Sequence, residues 1–303
     1  MDMLKGIFPI VAATFDDYGK VDYESLKNLI VTLLDSGCSG ATLFGIASEY
    51  YKLNDEEKKK MAAVMTETCR EHNGKSVLSV TEHSTECAVE QAKYYESLGA
   101  DCLMLLPPFF LKPGVNAVAE HIKTVADAVN IPVMPQYAPE QTGVSITPEV
   151  FNRLCEECKN ILYYKIECKP SGPYISDMVK SSNKIGIFIG NAGFQLIEGL
   201  DRGAVGAMPG ASMFDIYVDI YNKYAAGRRA DAVRIHSMLL PMLNHIRQNV
   251  EQIILYEKKI LKMRGIIKSD YCRKPSYKSD ECQDKIFMEF FDLLAEAYGW
   301  KRS

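Results

Sequence analysis

The sequence predicts a (β/α)8 TIM barrel with a C-terminal helical appendage, and three observations lead to that prediction. Eight apolar runs of strand length alternate with amphipathic stretches of helical length up to residue 210. The first run ends in TFDDYG and lacks the glycine-rich turn that a doubly wound sheet uses for phosphates. Beyond residue 211 every pattern is helical. The 303 residues are therefore expected to form one barrel with an appendage.

Each predicted strand is a short apolar run, and most are bounded by Gly, Pro, Asn or Asp. In chain order the eight runs are 6–15, 40–46, 76–80, 101–107, 131–137, 161–166, 185–190 and 204–210. In barrels of this kind the reacting groups lie at the carboxyl ends of the strands. The residues that close these runs are therefore the first candidates for chemistry.

The helices between the strands are predicted from apolar residues at helical spacing and from the polar residues that precede them. Asn54, Ser84 and Thr147 stand before such patterns and are predicted N-caps. Glu57 follows Asn54 at the spacing of a capping box, whereas Ser84 is followed by Cys87 and lacks that glutamate.

The last third of the chain is predicted to be helical throughout. Its patterns cover 214–227, 230–265 and 284–300, and Pro241 together with the length of the middle pattern predicts at least two helices there. The first of these patterns is assigned to the eighth barrel helix. We therefore place the catalytic barrel in residues 1–225 and the helical region in residues 226–303.

Composition narrows the class of partner and the compartment. The net charge is −4 without a basic block, which argues against nucleic acid or an acidic membrane surface as the main partner. No apolar run reaches 18 residues, so no membrane span is expected. The nine scattered cysteines are an odd number, which favours a reducing cytoplasm over a disulfide framework. No histidine pair has the helical spacing of a metal site, so no metal is expected.

Lys165 stands out because it closes the apolar run ILYYKI, where a strand normally holds only hydrocarbon. If Tyr163 and Glu167 share its face, its stem is packed and its amine faces the mouth of the barrel. Burial disfavours an ammonium ion and lowers a lysine pKa, and a neutral amine can form a Schiff base with a carbonyl compound. The alternatives are a lysine that reaches out to solvent or one paired with Glu167.

Further motifs follow other strands in the same order along the chain. They are GIASEYYKLNDEEKK at 45–59, LPPFFLKPG at 106–114, PQYAPEQTG at 135–143, YYKIE at 163–167, GAVGAMPG at 203–210 and LKMRGIIKSDYCRKP at 261–275. Together they resemble the dihydrodipicolinate synthase / N-acetylneuraminate lyase family over nearly the whole chain.

The resemblance implies a lysine Schiff-base mechanism without metal or cofactor, in which Lys165 condenses with pyruvate or another 2-oxo acid. The imine takes up electrons, so an enamine can add to an aldehyde or be released by C–C cleavage. The family also implies an (α/β)8 barrel with a C-terminal helical region, usually a tetramer. A homotetramer or a dimer is therefore expected.

The turn after the second strand departs from the family pattern G-[ST]-T-G-E, which binds the carboxylate of the 2-oxo acid. Here it reads Gly45-Ile46-Ala47-Ser48-Glu49, without the two expected hydroxyl groups. By the resemblance, the backbone N–H groups of Ala47 and Ser48 are expected to bind that carboxylate, because backbone donors need no particular side chain.

The fifth strand leaves an alternative open. The family pattern Y-N-x-P begins with a tyrosine whose phenol relays protons, and an ungapped match places Gln136 at that position. Tyr137 takes the position only if one residue is deleted from the turn, although only a phenol can both give and take a proton. Neighbours on a strand point to opposite faces, so one of the two faces Lys165.

The remaining expectations concern the substrate. Relatives that make dihydrodipicolinate carry an arginine where this chain has Gln141, and P-Y-Y where it has Pro108-Phe109-Phe110. Loss of the arginine removes a carboxylate clamp, which favours a sugar-derived substrate that neutral groups could bind. By the resemblance, Met208 offers its carbonyl near the 2-oxo acid. Two further residues are expected at the substrate, Thr142 by its type and Gly190 by the close approach it permits.

These observations predict a carbon–carbon lyase or aldolase of this family, with Lys165 as nucleophile and Tyr137 or Gln136 assisting proton transfer. Its partners would be a 2-oxo acid and an aldehyde. A 2-keto-3-deoxy sugar acid dehydratase or a 4-hydroxy-tetrahydrodipicolinate synthase is the enzymatic alternative. A barrel that binds 2-oxo acids without turnover is the non-enzymatic one, suggested by Ile46, Phe110 and Gln136 at positions where relatives carry hydroxyl groups.

Overall fold

Eight strands form at the predicted runs, each inside its run or within one residue of it, and most are shorter. The computed structural model describes residues 3–181 and 185–301. The strands are β1 (Gly6–Ile7), β2 (Gly40–Leu43), β3 (Lys75–Val80), β4 (Cys102–Leu105), β5 (Val133–Tyr137), β6 (Tyr163–Ile166), β7 (Gly186–Ile189) and β8 (Gly206–Ala207).

The first strand departs most from its predicted run, since β1 covers only two residues of 6–15. Pro9 has no N–H to donate to a ladder, and beyond it Ile10 makes isolated parallel bridges to Thr42 and Gly210.

Helices follow the strands along the chain. They are α1 (Tyr23–Asp35), α2 (Asp55–Glu71), α3 (Thr85–Ser97), α4 (Val115–Asp127), α5 (Pro139–Thr142), α6 (Pro148–Glu157), α7 (Ser171–Ser181), α8 (Leu196–Asp201), α9 (Phe214–Ala225), α10 (Arg229–Ile246), α11 (Val250–Met263) and α12 (Glu281–Tyr298).

The predicted helix starts are largely present. Asn54 and Glu57 form the reciprocal bonds of a capping box at the start of α2, and Ser84 accepts the N–H of Cys87 at the start of α3. Thr147 occupies the N-cap position of α6 without a side-chain cap bond. The middle C-terminal pattern does form two helices, but Pro241 lies inside α10, and the break falls between residues 246 and 250.

The strand order is β1-β8-β7-β6-β5-β4-β3-β2, in which β2 to β8 are bonded in sequence order and β1 is bonded to β8. This order, with a helix between successive strands, is that of a (β/α)8 barrel, so the predicted fold class is confirmed. Every strand residue except Lys75 is buried, as expected for a parallel sheet covered by helices. Among the described helices, none is long and apolar enough to cross a membrane.

The chain forms two compact units. The first comprises the described residues of 1–6 and 75–208 and carries β3 to β8 with α3 to α8. The second comprises the described residues of 7–74 and 209–303 and carries β2, α1, α2 and α9 to α12. The prediction that a catalytic barrel ends at residue 225 stays a prediction.

Candidate active site

Lys165 lies on β6 in the first unit and is buried, with 4% of its surface exposed. β6 is paired in parallel with two strands, so that Lys165 is in register with Gln136 of β5 and Phe188 of β7. Tyr164, the neighbour of Lys165 on the strand, points to the opposite side and donates its hydroxyl to the carbonyl of Phe151 in α6. Lys165 therefore points away from α6, to the other face of the sheet.

A carboxylate lies beside the amine. Nζ of Lys165 is 3.3 Å from Oε1 of Glu167, and the two side chains are 5% and 12% exposed. The N–H of Glu167 donates to the carbonyl of Tyr137 at 2.8 Å, which continues the ladder one residue beyond β6. Of the alternatives open in the sequence, the structure combines two, because the lysine is both buried and paired with Glu167.

Gln136 lies on the face of Lys165, and Tyr137 does not. Nε2 of Gln136 donates to Oε2 of Glu167 at 2.6 Å. The ring of Tyr137 is stacked on Tyr174 of α7 at 4.6 Å and meets Phe151 of α6 edge-on at 5.6 Å. Burial raises the pKa of the Tyr137 phenol. Of the two candidates that the sequence left open, the amide of Gln136 is therefore the one on the face of Lys165.

The turn after β7 completes the surroundings of Glu167. The N–H of Asn191 donates to Oε1 of Glu167 at 2.9 Å. Asn191 and Ala192 have φ of 51° and 49°, so two non-glycine residues hold the left-handed conformation here. A Cβ at Gly190 would overlap the Cγ and carboxylate of Glu167. Glycine at 190 therefore makes room for this carboxylate, and the approach of a substrate to Gly190 stays a prediction.

Two other predicted residues of the first unit are buried. The hydroxyl of Thr142 donates to the carbonyl of Ala138 at 3.0 Å, within the turn of α5. The N–H of Met208 donates to the carbonyl of Ile189 at 2.9 Å, next to the end of β8. Gln141, which replaces the arginine of relatives, is exposed. The hydroxyl of Thr142 therefore stabilises the short helix α5, in which Gln141 lies.

Ala47 and Ser48, whose backbone is expected to bind the substrate carboxylate, lie in the second unit in a 3-10 turn over Ile46–Ser48. The N–H of Ser48 donates to the carbonyl of Gly45 at 2.9 Å, and its hydroxyl donates to the carbonyl of Val11 at 2.5 Å. Both donors of Ser48 are therefore engaged, the N–H within the turn and the hydroxyl with Val11. Ala47, which is partly exposed, is the better placed of the two residues to offer a backbone N–H to a ligand.

Glu49 closes the same turn with φ of 48° and is fully buried. Its carboxylate is paired with Nζ of Lys258 from α11 and lies 3.2 Å from Nζ of Lys52. Lys258 also donates to the carbonyl of Tyr271 at 2.9 Å and lies over the ring of Phe15. Burial lowers the pKa of Lys258 because it disfavours the charged ammonium group. The neighbouring carboxylate of Glu49 acts in the opposite direction and raises that pKa.

Sequence reasoning missed the Glu49–Lys258 pair and the contribution of Asn191. The two members of the pair are 209 positions apart. Glu49 ends the turn motif and Lys258 stands in a charged helical pattern, and neither position indicates the other as its partner. Glu167 was visible in the sequence as a possible partner of Lys165, through their spacing of two on one strand. Among residues 3–181 and 185–301, no group of three or more His, Cys, Asp or Glu is placed to hold a metal ion.

Comparison with known proteins agrees with this architecture. The family model described as the dihydrodipicolinate synthetase family matches residues 3–291. The chain is 29% identical over 280 residues to an L-2-keto-3-deoxyarabonate dehydratase of Azospirillum brasilense, covering 89% of this chain and 88% of that protein. It is 29% identical over 246 residues to a 4-hydroxy-tetrahydrodipicolinate synthase of Methanococcus aeolicus, covering 80% and 83%.

Solved structures have the same fold. One is YagE, a prophage protein of the dihydrodipicolinic acid synthase family from E. coli K12, determined in complex with pyruvate. It superposes with a TM-score of 0.88 at 21% identity, covering 97% of this chain and 99% of that one. The resemblance inferred from the motifs is thus confirmed, as is the prediction of an enzyme. The chain belongs to the dihydrodipicolinate synthetase family, whose members are lyases and aldolases.

Proposed function

We propose that the protein is a Schiff-base lyase or aldolase that condenses pyruvate, or another 2-oxo acid, with an aldehyde or releases it by C–C cleavage. The observation that carries the proposal is the amine of Lys165, which is buried on a strand of a barrel of this family and paired with the carboxylate of Glu167. A buried lysine held in this way is a candidate nucleophile rather than a solubilising surface charge.

In the proposed reaction, the neutral amine of Lys165 attacks the C2 carbonyl of the 2-oxo acid, and water leaves to give the imine. The positive imine nitrogen then accepts the electron pair of a broken C–C or C–H bond, which gives the enamine. The carboxylate of the substrate is assigned, as the resemblance implies, to the backbone of Ala47 with Ser48 ordering the turn. The carbonyl of Met208 is assigned to the 2-oxo acid on the same basis.

Sugar-acid-type substrates are favoured over aspartate semialdehyde. Gln141 stands where relatives carry an arginine, so a second carboxylate would lack its bidentate partner. The similarity to a protein named as an L-2-keto-3-deoxyarabonate dehydratase supports this choice and also supports the second candidate, dehydration of a 2-keto-3-deoxy sugar acid. The chain is also similar to a protein named as a 4-hydroxy-tetrahydrodipicolinate synthase, so that synthase activity is the third candidate.

Reductive trapping tests the nucleophile. The protein is incubated with pyruvate and borohydride, and the modified lysine is located by peptide mass mapping. We expect an adduct on Lys165 and not on Lys169, a nearby lysine whose side chain is 54% exposed and ion-paired with Glu140. An unmodified Lys165 across a panel of 2-oxo acids would exclude the Schiff-base mechanism.

Product analysis separates the candidate reactions. Each of a set of 4-hydroxy-2-oxo acids, sialic acids and 2-keto-3-deoxy sugar acids is incubated with the enzyme, and free pyruvate and dehydrated product are measured in one sample. Pyruvate release indicates the lyase, and a 2-oxo acid that has lost water without C–C cleavage indicates the dehydratase. Efficient turnover of pyruvate with aspartate semialdehyde would contradict the preference for sugar-acid-type substrates.

We further propose a homotetramer or a dimer in the cytoplasm. The apolar side chains of Phe110 and Leu111 are 78% and 85% exposed in the single chain, which suits a surface covered by a second copy. The odd number of cysteines favours a reducing compartment. Light scattering of the purified protein tests the assembly, and a monomeric mass at micromolar concentration would contradict it.

A further inference from the structure

We propose that Glu167 is a catalytic acid–base group that moves the protons of imine formation at Lys165, where the family's phenol position holds an amide instead. The inference rests on the proposed function and deepens it. It starts from the short contact between the Glu167 carboxylate and the Lys165 amine, 3.3 Å from Oε1 to Nζ.

The neighbours of the amine restrict which group can carry a proton. Gln136 is in register with Lys165 and shares its face, but a neutral amide neither gives up nor accepts a proton at ordinary pH. Tyr137 carries a phenol, but its ring is stacked on Tyr174 against the helices. Glu167 is an ionisable side chain of the first unit, and its carboxylate lies in contact with the Lys165 amine.

The carboxylate is also oriented, because each oxygen has its own donor. Oε2 accepts from Nε2 of Gln136 at 2.6 Å, and Oε1 accepts from the N–H of Asn191 at 2.9 Å. The stem lies over Gly190, where any side chain would collide with it. A catalytic group held by such contacts needs little rearrangement to reach the transition state.

The proposed proton transfers balance as follows. Lys165 as an ammonium ion gives one proton to the Glu167 carboxylate and becomes a neutral amine. Its lone pair forms the N–C bond to C2 of the 2-oxo acid while the C=O π pair moves to oxygen. The added nitrogen loses its second proton to the oxygen, giving a neutral carbinolamine with Glu167 protonated.

The second half of the step returns the proton. The Glu167 carboxylic acid gives its proton to the carbinolamine hydroxyl, the C–O bond breaks and water leaves. The nitrogen lone pair forms the C=N bond, so the products are a protonated imine, a water molecule and a Glu167 carboxylate. Glu167 is then the counter-ion of the protonated imine, as it was of the ammonium ion.

The experiment measures the rate of imine formation directly. Wild-type protein and Glu167→Gln are mixed with pyruvate, quenched with borohydride at increasing times, and the Lys165 adduct is quantified by mass spectrometry at several pH values. Glu157→Gln makes the same chemical change in an exposed ion pair with Lys123 and is the matched control. We expect the adduct in all three proteins, formed about 10²–10⁴-fold more slowly in Glu167→Gln.

The pH profile separates catalysis from a structural role. The acidic limb of the rate of adduct formation should be lost in Glu167→Gln and kept in Glu157→Gln. In Glu167→Ala, added formate should restore part of the rate in proportion to its concentration, which a variant with a disturbed fold would not show. The Glu167→Ala arm also keeps the inference testable if Glu167→Gln folds poorly.

The failures are distinguishable. Absence of any adduct in the wild-type protein would overturn the proposed function and this inference with it. Adduct formation in the wild-type protein, with an unchanged rate and pH profile in Glu167→Gln, would overturn the role of Glu167 alone and leave the Schiff-base function standing.

Discussion

Two buried lysine–glutamate pairs, one in each unit, are built differently. Glu49 and Lys258 in the second unit are both fully buried, and the pair is further bonded to Lys52 and the carbonyl of Tyr271. Lys165 and Glu167 in the first unit are 5% and 12% exposed. The pair in the first unit is bonded to an amide and a backbone N–H.

Burial of a charged pair does not by itself indicate chemistry. A fully enclosed pair can do little but hold two segments together, since breaking it leaves a charge without water. A pair at the end of a strand with some exposure can exchange protons with a ligand. Substitutions in both units test this division.

The same substitution in both pairs should have opposite consequences. Lys165→Met should lower turnover by about 10⁴-fold or more, because the covalent nucleophile is lost, and change the free energy of unfolding by only about 1 kcal/mol. Lys258→Met should lower that free energy by about 3 kcal/mol, since Glu49 loses its buried partner and keeps only Lys52. Denaturant unfolding and steady-state kinetics on both variants provide the measurements.

The division between the pairs would be broken by a crossed result. The division would fail if the Lys258→Met variant, assayed at a denaturant concentration below its unfolding midpoint, no longer formed the pyruvate adduct on Lys165. It would also fail if Lys165→Met were the less stable variant of the two.

Gly190→Ala should give an intermediate effect by moving Glu167 without changing its chemistry. The added methyl would overlap the Glu167 side chain, so the carboxylate must shift away from the amine. We expect turnover to fall by about 10–10²-fold while the Lys165 adduct still forms. Gly114→Ala is the control, because a Cβ there meets no atom within 4 Å. Equal activity of the two variants would show that the position of the carboxylate is unimportant.

The smallest effect concerns acid stability and belongs to the cluster around Phe15 in the second unit. Arg273, like Lys258, lies over the Phe15 ring, and its hydrogen bonds hold the pKa of Glu57 below the ordinary value. A carboxyl group whose pKa is lower in the folded state than in the unfolded state stabilises the fold at pH values above its unfolded-state pKa. That stability is lost as the pH falls through the folded-state pKa.

Glu57→Gln should therefore remove about 1 kcal/mol of stability at neutral pH and flatten the loss of stability between about pH 5 and 3. Glutamine can keep the reciprocal bonds of the capping box with Asn54, so the substitution isolates the charge. The check is the free energy of unfolding across this range for both proteins. Parallel curves would assign the acid sensitivity to other carboxyl groups.

Much of the fold could be predicted from the sequence, because strand runs, caps and helical spacing are local signals. The buried position of Lys165 could also be predicted, since the apolar residues on both sides of it place its backbone in a core strand. The choice between Gln136 and Tyr137 could not, because a shift of one residue reverses the face and the turn allowed either alignment. The Glu49–Lys258 pair could not either, because it joins distant segments without a local pattern.

The bond between Gln136 and Glu167 has a consequence for how such enzymes diverge. A tyrosine introduced at position 136 to recreate the phenol of relatives would take away the amide that holds Oε2 of Glu167. It would stand in register with Lys165, whose amine lies 3.3 Å from the carboxylate. The phenol and the carboxylate are therefore rival solutions, and an ancestor passing from one to the other would have had to change both positions together.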